Sequence, residues 1–418
     1  MNHSSRQFDL IVFGATSFVG EILCRYLCNQ YGTDGEVKWA AAGRSPEKLE
    51  KLRSSLGTGA SSLPLLTADA GDESSLNSLC EQTRVIVSTV GPYALYGEPL
   101  VKVCAATGTD YCDLTGEVQW VERMITRYQG QAGKTGARIV PSCGFDSIPS
   151  DMGVWHLQNA ARARFGQPCE TIRMRVKAMR GGASGGTVAS MLNITKEASK
   201  SPELRKALAN PYLICPQGHG FKTRQHNVTL PEFDPDSKQW AAPFIMAGIN
   251  TRVVHRSNAL SGKAYGENFR YDESMLMGRG TSGRLKATGF VLGLGAFLAG
   301  AAIKPARWMM ENFILPKPGE GPDPEAQARG FYDIRFFGRT VDGDIIHTKV
   351  TGDRDPGYGS TSKILAQAAL SLAFDVTKEE KGGGFWTTAT VFDQRFIERL
   401  EKNAGLTFSV LESSKQSS

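Results

Sequence analysis

No CxxC pair occurs among the eight cysteines, which are Cys24, Cys28, Cys80, Cys104, Cys112, Cys143, Cys169 and Cys215. No histidine stands at metal-ligand spacing from one of them, so no metal site is supported. Most of these cysteines sit in apolar runs, where cysteine behaves as a small hydrophobe. A reducing compartment follows from that usage. The polar Met1–Asp9 segment lacks the apolar stretch of a signal peptide. A cytoplasmic, non-secreted protein is therefore expected, and the sequons at Asn193 and Asn227 fall to chance. No segment interleaves clustered basic residues with aromatics, which argues against nucleic acid as a partner. The net charge of +6 is scattered and fits an anionic cofactor or an acidic partner.

A full membrane-spanning run is also missing. Ala287–Ile303 holds 17 uncharged residues between Lys286 and Lys304, short of the roughly 20 that a span needs. Gly289, Gly293, Gly295 and Gly300 would weaken it as a single helix. It reads as a buried or interface helix, with insertion into a membrane surface and a spanning helix as alternatives.

With 41% hydrophobic and 22% charged residues the chain is globular, and its 418 residues suggest two or three domains. In the first 145 residues short apolar runs alternate with helical stretches. The runs are Leu10–Phe13, Val37–Ala42, Leu63–Thr67, Val85–Val90, Tyr111–Leu114 and Arg138–Val140. That alternation predicts a doubly wound parallel sheet of Rossmann type over 1–150. The pattern then changes. Ile172, Met174, Val176 and Ala178 alternate with polar residues, and Phe331–Phe337 and Ile345–Val350 flank Asp342-Gly343, a hairpin signal. A second, α+β domain with a largely antiparallel sheet is expected over 151–354. Helices are expected over 355–418, including Ser362–Phe374 and Phe396–Asn403.

The first strand runs into Gly14-Ala15-Thr16-Ser17-Phe18-Val19-Gly20. Gly14 would allow a tight turn into the helix. The helix N-terminus would offer amides and partial positive charge to a pyrophosphate, and Gly20 would let helix and sheet approach closely. The middle glycine of such loops is replaced by Ser17, whose hydroxyl can itself donate to phosphate. The second strand ends at Arg44-Ser45, where an NAD site usually carries a carboxylate for the ribose. A guanidinium there suits the 2′-phosphate of NADP(H), which is favoured over NAD(H). A solvated surface arginine is the plainer reading. Asp69 is placed to accept from the adenine amino group, or to cap a loop. Thr89, Val90, Gly91 and Pro92 would line the nicotinamide ribose, with Tyr93 toward the substrate. The sixth strand ends in Ser142–Asp151, rich in carboxylates and hydroxyls. A domain hinge with Asp146 and Ser150 as helix caps competes with a catalytic role. The Arg252–Arg256 stretch reads as a solvated basic face, with phosphate contact as the alternative.

Taken together, these segments resemble the saccharopine dehydrogenase-like reductases, within them the trans-acting enoyl reductase branch. The resemblance rests on GATSFVG at Gly14, AGRS at Ala42, TVGPYALYGEPLV at Thr89, GTDYCDLTGE at Gly108 and GFDSIPSD at Gly144. It continues through SGGT at Ser184, PKPGEGP at Pro316 and DPGYGSTSKILAQAAL at Asp355. Ser17 departs from the loop pattern. The resemblance implies NAD(P)H between a Rossmann and an α/β domain, with the helix after Asp355 packing back near the first domain. It further implies an enoyl or related lipid-type intermediate as substrate, free or carrier-bound, and some relatives associate with lipid surfaces. A homo-oligomer is expected. For hydride transfer to such a substrate, Tyr93, Tyr111 and Ser147 are the expected hydrogen-bond donors to the developing enolate, oriented by Asp146. An imine reductase of saccharopine type and a non-catalytic scaffold on membranes are the alternatives.

Overall fold

The apolar run Phe8–Phe13 is buried on both faces except for Asp9, as a central parallel strand must be. A computed structural model describes residues 6–181, 185–313 and 321–415. Among these the strands, in chain order, are β1 (Phe8–Phe13), β2 (Trp39–Gly43), β3 (Leu65–Thr67), β4 (Thr83–Ser88), β5 (Asp110–Asp113), β6 (Arg138–Val140) and β7 (Cys169–Arg180). They continue as β8 (Glu232–Asp234), β9 (Gln239–Pro243), β10 (Arg270–Gly278), β11 (Phe331–Thr340), β12 (Ile345–Gly352), β13 (Gly384–Phe385) and β14 (Leu406–Ser414).

The first sheet has the order β13-β6-β5-β4-β1-β2-β3, and every pair in it is parallel. Three of its helices begin where short polar side chains cap them. Ser17, Ser45 and Asp72 each accept from a first-turn amide. The six strands expected from alternation are present. The seventh, β13, comes from the far end of the chain and pairs with β6. Two residues carry no periodicity, so no pattern announces this strand.

The second sheet has the order β14-β12-β11-β7-β10-β9-β8. The β11–β12 hairpin forms around Asp342-Gly343, with Gly343 at φ +90°. Alternate residues of β12 are buried, and the Ile148–Phe165 helix packs on that sheet. One pair departs from the antiparallel expectation, since β10 runs parallel to β7. Its Asp272 is buried because Arg175 on β7 lies at 2.5 Å from it and at 2.8 Å from Asp234.

Two further expectations are corrected. Arg252–Arg256 is no solvated face but part of the buried Ala247–Leu260 helix. Arg252 donates to Leu208 O, and Arg256 to Ile214 O and Phe385 O. Between them His255 is enclosed, and burial, then Arg252, pushes it down to about 3. The uncharged stretch is not buried either. It belongs to a 23-residue helix, Gly280–Ala302, most of which is open to solvent. Ser184 of the SGGT segment and 316–320 of the PKPGEGP segment lie outside the described residues.

The C-terminal segment is tied to the first sheet through Arg138, whose guanidinium forms a buried ion pair with Asp110 inside that sheet. Arg138 donates to Asp110 at 2.5 Å, to Leu372 O at 2.6 Å and to Val376 O at 2.5 Å. Lys378 also reaches Asp110, at 3.0 Å. Removing one partner of a buried pair leaves the other charge in a poorly solvating interior. Arg138→Ala is therefore expected to cost roughly 3–5 kcal/mol in urea unfolding. A loss below about 1 kcal/mol, the level of exposed pairs, would show that the pair does not hold this segment.

Candidate functional site

The strand order reverses between β1 and β4, and the ends of these two strands meet at the expected phosphate loop. Gly14 adopts φ +86°, and a Cβ there would stand 2.7 Å from Val90 Cγ2 and 2.8 Å from Thr89 Oγ1. Gly20 is tighter still, with a Cβ falling 2.2 Å from Gly14 O. Both positions require glycine. Ser17 does not, because its φ of −76° suits any residue. Its hydroxyl accepts from Gly20 N at 3.0 Å and pairs with Thr89 Oγ1 at 2.9 Å. Thr89 Oγ1 also donates to Gly14 O at 2.9 Å. The departure at Ser17 thus closes the loop onto β4. The other first-turn amides have no intrahelical acceptor, which is what a pyrophosphate needs. Ala15 is buried, while Thr16 and Phe18 are half-buried at the helix start.

Arg44 is exposed at the end of β2, and nothing among the described residues bonds its guanidinium. Ser45 is committed locally, as the cap that accepts from Lys48 N. Asp69 is exposed and closes its own turn by accepting from Gly71 N at 2.8 Å. A shaped loop, free helix amides and an uncommitted arginine together fit a dinucleotide.

Beyond Thr89 and Val90, the cis Gly91–Pro92 peptide leads to Tyr93. Here the expected donors are corrected. The Tyr93 hydroxyl donates to Ser88 O at 3.0 Å and accepts from Leu114 N at 3.1 Å. The Tyr111 hydroxyl donates to Asp113 Oδ2 at 2.8 Å inside the sheet. The Ser147 hydroxyl donates to Asn250 Oδ1 at 3.0 Å. Each hydroxyl has one proton, and all three are already given to protein acceptors.

Asp146 stands differently. It neither caps the Ile148–Phe165 helix nor orients the hydroxyls, and no partner for its carboxyl is found among the described residues. It is half-buried in the loop that follows β6, and loss of water pushes its carboxyl up to about 7. Its loop is strained at both ends, with Ser142 at φ +63° and Ser147 at φ +96°. Asp113 accepts from Ser142 N and Thr115 N, each at 2.9 Å. Thr361, at the start of the Thr361–Phe374 helix, accepts from Phe145 N at 2.9 Å.

Several residues around this loop escaped sequence reasoning. Asn250 donates to Ser150 Oγ at 3.1 Å and to Glu273 Oε2 at 3.0 Å, while Tyr271 donates to Glu273 Oε1 at 2.7 Å. Burial raises Glu273 to about 7. Asp151, at the end of the Ser142–Asp151 stretch singled out in the sequence, accepts from Ser257, Thr388 and Ala389 N, and burial pushes it up to about 6. Tyr358 packs edge-on against Phe18 with ring centroids 4.8 Å apart, so the Asp355–Ser360 turn lies over the start of the phosphate-loop helix. Only the polar residues inside the apolar segments 247–260 and 270–278 hinted at this second-domain contribution.

Fold and site define a Rossmann-type NAD(P)H-dependent oxidoreductase. Residues 10–140 match the family described as saccharopine dehydrogenase NADP binding domain. Yeast saccharopine dehydrogenase (L-Glu forming) shares the fold, at a TM-score of 0.53 and 12% identity, covering 97% of this chain and 100% of its own. The trans-acting enoyl reductase of Mycobacterium tuberculosis is 35% identical, over 96% of this chain and 97% of its own length. That of Mycobacterium ulcerans is 36% identical with the same coverage. A further relative from M. tuberculosis reaches 39%. The chain belongs to the trans-acting enoyl reductase family of saccharopine dehydrogenase-like oxidoreductases.

The backbone around Gly20 cannot yield to a methyl group as a flexible side chain would. Gly20→Ala is expected to cost roughly 1–3 kcal/mol in thermal unfolding and to weaken nucleotide binding with it. Unchanged melting and unchanged affinity would show that the close approach is dispensable.

Proposed function

We propose that the protein reduces the carbon–carbon double bond of an α,β-unsaturated acyl thioester, free or on a carrier, with NADPH preferred over NADH. The names of its relatives support the substrate class. The observation that carries the chemistry is the half-buried Asp146 carboxyl in the loop after β6, which has no partner among the described residues.

Bound NADPH would supply a hydride to the β-carbon. Gly14, the first-turn amides of the Phe18–Tyr31 helix and Thr89 would hold the diphosphate and ribose end, and Arg44 the 2′-phosphate. As the β-carbon gains its bond, the π electrons move to the α-carbon and the thioester oxygen, and the α-carbon then takes a proton. With its carboxyl pushed up to about 7 by loss of water, Asp146 keeps a protonated share near neutral pH and can deliver that proton. Tyr93, Tyr111 and Ser147 act through the backbone and side chains they fasten, which keep the crevice in shape.

Arg44→Ala is expected to weaken NADPH about 10- to 100-fold, the loss of a charged hydrogen bond, and to leave NADH unchanged. Calorimetric titration of both nucleotides reads this directly. Equal affinity of wild type and variant for NADPH would remove Arg44 from the site.

Turnover of enoyl thioesters, set beside lysine with 2-oxoglutarate, tests the substrate class. Activity only on the amino-acid pair would overturn the enoyl reading. With Asp146 as the acid, turnover should fall as pH rises through about 7. Asp146→Asn should lower kcat by about 10²- to 10⁴-fold and abolish that limb. The same group sets a stability trend. A carboxyl with a raised folded-state pKa weakens folding as pH rises from its unfolded value through about 7. Asp146→Asn should therefore gain stability over wild type across that window.

A further inference from the structure

We propose that the Gly280–Ala302 helix docks the protein on an anionic lipid bilayer, lying along its surface. The helix is long and apolar, with a mean hydropathy of 1.5 over its best 18-residue window, yet only 11% of that window is buried. Its two sides differ in what they meet. Gly283, Ala287 and Ala301 are buried, and Phe290, Val291, Leu294 and Phe297 half-buried, along one side. The helix rests on β9, β10 and the Gly185–Lys200 helix. The opposite side exposes Leu285 at 72% and Leu292 at 68%, and the chain continues into exposed Ile303, Trp308 and Met309. A contiguous apolar face of this kind is not left to water without a partner. Because one side is fixed to the protein body, the helix cannot be surrounded by lipid as a spanning helix is. It can sink its free side into the headgroup boundary.

The charges select the partner. Arg279, Arg284 and Lys286 stand at one end, Lys304 and Arg307 at the other, and no Asp or Glu occurs between Glu273 and Glu311. Arg284 lies over the Trp240 ring at 5.4 Å, an amphipathic pair of the kind found at a membrane boundary. A second copy meeting this face by twofold symmetry would bring cations against cations. Anionic headgroups complement them. The docking face is also one helix away from the crevice. Ser190, on the Gly185–Lys200 helix, donates at 2.9 Å to Glu117, which holds the Tyr93 and Ala94 amides. Docking would thus present the crevice near the lipid surface, although docking itself does not depend on the enoyl reading.

The test is cosedimentation of the full-length protein with phosphatidylcholine vesicles, with and without phosphatidylglycerol. Binding that requires phosphatidylglycerol and declines with salt is expected. Arg284→Glu with Lys286→Glu should weaken it by about tenfold or more, at roughly 1 kcal/mol per basic residue. Leu285→Ser with Leu292→Ser should abolish it, while NADPH affinity stays at the wild-type value. Quenching of wild-type tryptophan fluorescence by bromolipids, expected through Trp308, needs no variant and covers the case of misfolding. Absence of both sedimentation and quenching overturns the proposal. So does a dimer that Leu292→Arg dissociates in a protein that ignores vesicles, which would mark the face as a subunit contact.

Discussion

The site depends on two carboxylates that have no access to water, Asp113 and Glu117. A buried carboxylate must be satisfied by donors, and here the donors are the loops themselves. Asp113 takes the amides of Thr115 and Ser142 and the hydroxyl of Tyr111. Glu117 takes the amides of Tyr93 and Ala94 and the hydroxyl of Ser190. Segments that follow β4, β5 and β6 are thereby fixed to one another and to a helix of the second domain. Burial raises Asp113 to about 6, and its three donors hold it from rising further.

This constraint explains why hydroxyls that look catalytic are not free. Tyr93, Tyr111 and Ser147 give their protons to the frame, and Asp146 is left as the carboxyl without a task in it. The frame extends into the second domain through Asn250 and Glu273, and back into the first through Thr361 and the Arg138–Asp110 pair. The C-terminal segment therefore completes the first sheet with β13, closes over the phosphate-loop helix with Tyr358, and helps to hold the crevice at the same time.

Much of the first domain was legible because its signals are local. Continuous apolar runs mark strands buried on both faces, and capping residues at Ser17, Ser45 and Asp72 mark where three of the helices begin. The phosphate loop was legible for the same reason, since Gly14 and Gly20 serve contacts within a few residues or with the neighbouring strand. The second domain was less so. In β10, Asp272 and Glu273 sit in a strand interior, which reads as exposed until Arg175 and Asn250 are placed beside them. Arg252 and Arg256 read as a basic surface for the same reason. Local polarity does not reveal a partner tens or hundreds of residues away.

By itself the sequence determined the parallel sheet, the glycine-shaped loop after its first strand and the presence of a second, hairpin-bearing domain. Each follows from spacing and residue type within short windows. Only the tertiary structure decided which polar groups are spent and which remain available, because a hydroxyl proton or a carboxylate is assigned by what lies within 3 Å of it. It also decided that the uncharged helix is exposed, since burial belongs to the packed molecule and hydropathy alone to the chain.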